Sequence, residues 1–382
     1  MSRLAQLKSA LPALALEACE RTREFEAARQ LADDYVDRVK TAGAHLVLIP
    51  ERDGGLGGSL RDWFDMGLTL AEADASTGWV SMHGAGANAL LYALADRRFV
   101  ATHFADPMAS AAWTNAPSDL TCDETSDGYR ISCRWAFGTG CTGATHVGGL
   151  VPSKTADGTP RSFAALMPLV NARIDRTWDP IGLGGTGSHD IVFENVLVPR
   201  HHTFTWPDGV PTSEYPLAIV SPGSWFIGTC AAAVQLGLAR HAIDEARRVL
   251  IGKIDRSVGG PILAHPAVMR TLESAEGLLF ALRASLHEVL AEIWSHALAG
   301  QPLSIETRMR ARLANVTAVQ HSATLVRNVF DCVGTVGAKR SGLLEQLYRD
   351  AACLPQQIAV NAFTYETVGR VRGGFPMTGG RL

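Results

Sequence analysis

The chain reads as an α+β multidomain protein. A helical region spans residues 1–105, a central antiparallel β-barrel or sandwich spans 106–210, and a four-helix bundle spans 211–382. Three observations predict this. The chain opens with a stretch, Leu4 to Tyr35, rich in Ala, Leu, Glu and Arg, which favour helix. From about Asp106 the pattern changes to short β-branched and aromatic runs separated by Gly, Pro, Asp and Asn. Beyond Ser224 long apolar stretches return with only brief interruptions, as in helix bundles. At 382 residues and 47% hydrophobic, the chain can bury a large core divided among two or three domains.

In chain order, Leu4 to Tyr35 is expected to be helical. Pro50-Glu51-Arg52-Asp53-Gly54-Gly55-Leu56-Gly57-Gly58 is a loop by its glycines and charges. Ser59 caps the next helix, with Asp62 three residues on. Asp74-Ala75-Ser76-Thr77 opens a further apolar helix through Leu94. Strands are expected at Ser110–Thr114, Tyr129–Trp135, Ser162–Met167 and Ile191–Val198. Their spacing suits a small barrel or sandwich. The bundle helices are expected at Trp225–Ile251, His265–Ala299, Ile305–Val333 and Ser341–Val371, each at least 27 residues long. Their breaks fall at Gly252–Pro261, Gly300-Gln301-Pro302 and Gly334–Gly337.

Bulk properties exclude several functions. The net charge is −3 and no Lys/Arg cluster marks a nucleic-acid track. The longest apolar runs, such as Ile227 to Leu238, are interrupted and too short to span a bilayer. The N-terminus carries Arg3 and Lys8 but no long apolar stretch before Glu17, so it reads as a helix and not as a signal peptide. Seven scattered cysteines without a C-x-x-C pair fit reduced thiols and a cytoplasmic protein. The histidines, His201-His202 included, lack metal-ligand spacing with acids or cysteines.

Two motifs fail on context. Gly182-Leu183-Gly184-Gly185-Thr186-Gly187 satisfies the dinucleotide fingerprint, but that fingerprint needs a strand before it and a helix after it. Here a Trp-Asp-Pro turn precedes and a β-branched strand follows. Its glycines are better suited to a tight backbone turn. Ser188-His189-Asp190 holds the residue types of a hydrolase triad. Neighbouring strand residues point to opposite faces, so these three form no relay.

Two blocks about forty residues apart carry more information. Trp135-Ala136-Phe137-Gly138-Thr139-Gly140-Cys141 places alternate large side chains on one strand face. Thr177-Trp178-Asp179-Pro180-Ile181 leads into the glycine segment and then into Ile191-Val192-Phe193-Glu194-Asn195-Val196. Both resemble the central β-domain of the acyl-CoA dehydrogenase superfamily, whose strands cover one face of a flavin. The Gly-Thr-Gly-Ser-His-Asp wording is most similar to the oxygenase components of two-component flavin monooxygenases. The α, β, α-bundle order agrees over nearly the whole chain. The resemblance implies a homotetramer using reduced FMN or FAD from a separate reductase. Molecular oxygen adds to the flavin as a C4a-(hydro)peroxyflavin, and a small aromatic or heteroatom-containing substrate is oxygenated.

The resemblance also distributes roles. Thr139 stands where a hydroxyl lies by the flavin N5/C4a edge. Ser188 lies near flavin or its phosphates. Trp113 and Thr114 lead to Asn115, a polar position facing flavin or substrate. Trp135 and Phe137 are equally readable as core or as cofactor contacts. Ala75 to His83 resembles the helix lining the substrate pocket, with His83 reaching substrate or flavin. Val329 to Gly337, followed by Leu347-Tyr348-Arg349-Asp350-Ala351, matches a region whose glycine turn contacts a neighbouring subunit's cofactor. Gly334 and Gly337 lie in that turn, where backbone N–H groups suit phosphate. Arg256 matches a residue that reaches a neighbour's pyrophosphate.

One departure stands out. The oxygenase branch places a histidine about two turns after Arg-Asp, where imidazole handles a proton near neutral pH. Here Gln356 or Gln357 fills that slot, and an amide can hydrogen-bond but not exchange a proton. Either His83 carries that work or the flavin chemistry differs. Glu366 lies too far along to match the dehydrogenase base. Two alternatives therefore stay open: an FAD-dependent acyl-CoA dehydrogenase, and a non-catalytic flavin-fold binding protein.

Overall fold

The computed structural model describes residues 1–154, 158–206, 212, 215–220, 223–255 and 259–376. Helix α1 (Arg3–Ala28) starts at a Ser2 cap. It ends where Arg29 adopts a left-handed φ of 56°, so the single helix expected to Tyr35 is two, with α2 at Asp33–Thr41. Helix α3 (Leu60–Ala71) begins at the expected Ser59–Asp62 capping box, formed in both directions. Helix α4 (Ala75–Leu94) is capped by Asp74, whose carboxylate accepts from the Thr77 N–H at 2.6 Å. Helix α5 (Arg97–His103) closes the first layer.

Eight strands follow: β1 (Ala111–Thr114), β2 (Pro117–Glu124), β3 (Gly128–Gly138), β4 (His146–Lys154), β5 (Pro160–Pro168), β6 (Arg173–Asp175), β7 (His189–Pro199) and β8 (Thr203–Thr205). They form two open four-stranded sheets, ordered β1-β4-β5-β8 and β2-β3-β7-β6. Among the described residues no pairing joins them into a closed barrel. The β1–β4 pairing is parallel, against the all-antiparallel expectation. Ile131, Cys133, Trp135, Val147, Met167, Ile191 and Phe193 share one buried core contributed by both sheets. This is the arrangement in which inward residues of facing sheets interdigitate.

Short α6 (Pro216–Ile219) precedes α7 (Ser224–Leu250). The two-residue strands β9 (Ile254–Asp255) and β10 (Gly260–Pro261) pair before α8 (Pro266–Leu298) and α9 (Ile305–Val333). The fourth expected long helix does not exist as one piece. It is α10 (Leu343–Cys353) and α11 (Phe363–Arg372), separated by a 3-10 turn at Leu354–Gln356 and a non-helical stretch. Pro355 removes a backbone donor there and disfavours continuation of the α-helix. The result is three long helices and two short ones. Helix α7 is long and apolar enough to cross a membrane, yet 83% of its apolar window is buried, against α3, α4, α8, α9 and α10. It is a core helix.

Candidate active site

The glycine segment shows how the layers meet. A side chain at Gly182 would strike the Arg349 backbone of α10, and one at Gly185 would strike Phe25 of α1 and Ser76 of α4. Leu183 N–H donates to the Asp350 carboxylate at 2.5 Å, and Arg349 pairs with Glu26 and Glu345. Burial pushes the Asp350 carboxyl up to about 7, with the Leu183 N–H opposing. Residues 184–186 form one 3-10 turn that runs into β7, not into a helix, which rules out the dinucleotide fingerprint. Glycine is required here because three elements approach one backbone.

That docking fixes a corner between β3 and β7. The three hydroxyls of Thr139, Ser188 and Thr186 are buried in a chain. Thr139 lies 2.9 Å from Ser188, Ser188 lies 2.9 Å from Thr186, and Thr186 donates to the Leu183 carbonyl at 2.9 Å. Phe137 stands beside them at φ 59°, 62% exposed, with its ring edge-on to Trp178 at 6.3 Å. The β3–β7 register shifts between Trp135 and Gly138. This bulge breaks the alternation expected of the strand. Trp135 turns wholly inward, 0% exposed, with its N–H on the Leu150 carbonyl, while Phe137 turns out. Trp135 therefore has no ring face free for a cofactor, and its place among cofactor contacts is corrected to core.

Thr114 has its side chain turned into the structure. It is buried, its hydroxyl donates to the Ala136 carbonyl at 2.6 Å, and it accepts from Ala116 N–H, stitching β1 to β3. Asn115 is exposed, and its Oδ1 accepts from the indoles of Trp113 (3.2 Å) and Trp206 (2.9 Å). Two N–H donors fix the amide orientation, so the Asn115 NH₂ points away as a donor without a hydrogen-bond partner among the described residues. Trp113 packs half-buried, against Trp206 and over Gly148.

Half-buried His83 lies tilted against Trp79, ring centroids 4.2 Å apart, and its Nε2 is enclosed without a partner. Burial alone pulls it down to about 4, so it is neutral near pH 7. Gln357 does not reach this corner by hydrogen bonding. Its Oε1 accepts from Ala359 N–H at 2.6 Å, closing its own turn. Gly334 and Gly337 sit at the C-terminal end of α9, where carbonyls project, and their N–H groups bond to Asp331 and Gly334. Those two N–H groups are thus already engaged within the turn. Arg256 lies outside the described residues.

Thr139 also lines a crevice together with Val80 and Ser81 of α4, within the stretch expected to line a substrate pocket, and with α2-side residues that sequence reasoning missed. Leu31, Val36, Val39 and Val80 supply apolar walls, and Lys40, His45, Ser81, Thr139 and Thr186 supply polar groups. Neither Lys40 nor His45 carries a motif or spacing that would have flagged it. Among the described residues no cluster of His, Cys, Asp and Glu is arranged to hold a metal ion.

Helical layer, two-sheet sandwich and long C-terminal helices, meeting at an outward aromatic ring and a hydroxyl chain, define an acyl-CoA dehydrogenase-like flavoprotein. The family model for the acyl-CoA dehydrogenase C-terminal domain matches residues 229–362. An indole-3-acetate monooxygenase of Pseudomonas putida is 31% identical over 347 residues, covering 91% of this chain and 88% of the relative. The oxygenase component of an FADH(2)-dependent resorcinol hydroxylase of Rhizobium sp. is 28% identical, covering 92% and 89%. In structure, a 3-HSA hydroxylase from Rhodococcus sp. RHA1 superimposes with TM-score 0.88 at 24% identity, covering 99% and 98%.

The chain belongs to the acyl-CoA dehydrogenase superfamily, in its branch of two-component flavin-dependent monooxygenase oxygenase components. It is an oxidoreductase that uses reduced flavin and molecular oxygen, with a separate reductase as partner.

Proposed function

We propose that Phe137, Thr139 and Asn115 hold the reduced flavin, with Ser188 orienting the Thr139 hydroxyl toward it, and that a small aromatic substrate is oxygenated beside Thr139 and α4. The observation that carries this reading is the hydroxyl chain ending on a carbonyl, from which its direction follows. A carbonyl only accepts, so Thr186 gives its proton to Leu183. Ser188 then gives its proton to Thr186, and Thr139 gives its proton to Ser188. Thr139 is left with lone pairs facing outward, an acceptor suited to the ring N5–H that a reduced flavin carries.

The other residues present fit a flat, carbonyl-rich group. Phe137 offers an exposed ring held in an unfavourable backbone conformation, a feature that clusters at functional sites. Asn115 presents two N–H donors for carbonyl oxygens. Bound flavin supplies the electrons that activate oxygen. Neutral His83, its Nε2 unpartnered, accepts or returns a hydrogen bond at the substrate. The apolar walls limit water at the reacting centre. Relatives named for indole-3-acetate and resorcinol support an aromatic substrate. Exposed Phe280, Ile358 and Phe363 in the C-terminal region support burial between copies, in the homotetramer that the resemblance implies.

The test supplies reduced FMN or FAD and oxygen with an arene, and measures product against hydrogen peroxide. An oxygen atom from labelled O₂ in the arene is expected. Release of one peroxide per flavin with every arene, or bleaching of bound FAD by an acyl thioester, overturns the proposal.

A further inference from the structure

The crevice beside Thr139 contains three polar groups whose bonding is incomplete. His45 is 5% exposed and its Nε2 lies 3.0 Å from the Pro107 carbonyl. Since that oxygen can only accept, the ring proton sits on Nε2, and Nδ1 is a bare acceptor. Nδ1 is enclosed and has no partner. Burial pulls His45 down to about 4, so the ring stays neutral and keeps this tautomer near pH 7. Ser81 Oγ, on α4, is also enclosed and unpartnered.

Lys40 reaches into the same space. One of its three donors goes to the Gly143 carbonyl at 2.5 Å. Asp37 and Asp106 lie near enough to influence its charge, but among the described residues neither pairs with it. Buried polar groups are ordinarily satisfied, so His45 Nδ1 and Ser81 Oγ, two unsatisfied atoms in one crevice beside half-buried Lys40 with donors to spare, mark a ligand's contacts. Their types are specific: one acceptor at His45, a cation at Lys40, a hydroxyl at Ser81, all against the apolar walls of Val36 and Val39.

We infer that this crevice binds the substrate as an aromatic carboxylic acid bearing a ring N–H or O–H. The ring donor goes to His45 Nδ1, the carboxylate to Lys40 with Ser81 assisting, and the ring lies toward Thr139. The inference rests on the aromatic-substrate reading above and narrows it to acids with a ring donor.

The test is calorimetric titration of the full-length protein, with FMN present, using four probes. These are indole-3-acetate, indole-3-acetamide, 1-methylindole-3-acetate and indole. The acid is expected to bind at least about tenfold more tightly than each of the other three, the scale of one charge-assisted or buried hydrogen bond. In Lys40→Met the advantage over the amide is expected to vanish while amide affinity is unchanged, a split that a misfolded variant would not give. Equal binding of acid and amide, equal binding of the N-methyl acid, or no binding of any probe overturns the assignment. Turnover is measured separately. Oxygenated product from an arene without these preferences would leave the monooxygenation reading standing and remove the pocket assignment. The preferences without product would do the reverse.

Discussion

Two regions of this molecule treat buried polar groups in opposite ways. At the glycine turn and the β3–β7 corner, nearly every hydroxyl and carboxylate is engaged: Asp350 by Leu183, Thr186 by Leu183, Ser188 by its two neighbours. In the crevice a few residues away, His45, Ser81 and Lys40 retain unused capacity. A network closed on itself holds a shape. One left open keeps its capacity for something that arrives. The comparison predicts that substitutions in the first region cost structure or geometry, and that those in the second cost binding alone.

The largest effect is expected for Thr139→Val, which keeps the shape but removes the outward acceptor. Coupled product formation should fall roughly a hundredfold, the lower end of what one preorganised hydrogen bond contributes at a reacting centre. Melting temperature should fall as well, because buried Ser188 loses the hydrogen bond that Thr139 donates. Product yield per flavin, measured beside a thermal melt, checks both halves. Unchanged yield would detach the hydroxyl chain from the chemistry.

Next comes Gly182→Ala. Its added methyl meets the Arg349 backbone, which cannot rotate away. A loss of about 2–3 kcal/mol, typical of overpacking, should appear in urea unfolding.

Asp350→Asn probes the same turn by pH. The carboxyl of Asp350 has a folded pKa of about 7, above its ordinary 3.8, so the folded state holds a proton that the unfolded state has released. Stability from this group is full below about 3.8 and declines as pH rises to 7. Neutral His45 and His83, pulled down to about 4, act in the other direction, losing stability as pH falls from about 6.5 to 4. Melting temperature of the variant minus that of the parent isolates the aspartate. The difference should shift in the variant's favour from pH 4.5 to 7. A flat difference would show that the carboxyl stays ionised.

Smaller still, Phe137→Gly relieves a left-handed phenylalanine and should stabilise by about 1 kcal/mol while weakening flavin binding. Least of all, Ser81→Ala should leave stability within about 0.5 kcal/mol, because its hydroxyl bonds to nothing in the free protein. Its effect should appear only in affinity for the acid probe. A large stability loss in Ser81→Ala would collapse the distinction between the two regions.

What could be read before folding follows the range of each interaction. The Ser59–Asp62 box and the Asp74 cap are local, and both were legible. So was the layer order, because hydrophobic period changes along the chain. Strands β2, β4, β6 and β8 were not read, since β6 and β8 are three residues long and β2 is largely exposed and polar. The split between α10 and α11 was announced by Pro355 and overlooked. The bulge at Phe137 was hidden because alternation holds on either side of it. Thr139 and Ser188 were singled out by resemblance, and their mutual contact emerged from the fold. His45 and Lys40 were invisible, because only the meeting of α2, α4 and β1 makes them neighbours of Thr139.

The order of protons along Thr139, Ser188 and Thr186 has a consequence for traffic. On the reading proposed, the outward lone pairs of Thr139 welcome a ring nitrogen that carries hydrogen and oppose one that carries a lone pair. Reduced flavin has the hydrogen and oxidised flavin does not. A polypeptide that must import its electron donor for every cycle would thus grip the charged form and loosen its hold on the spent one. One carbonyl, at Leu183, sets that preference from three hydroxyls away.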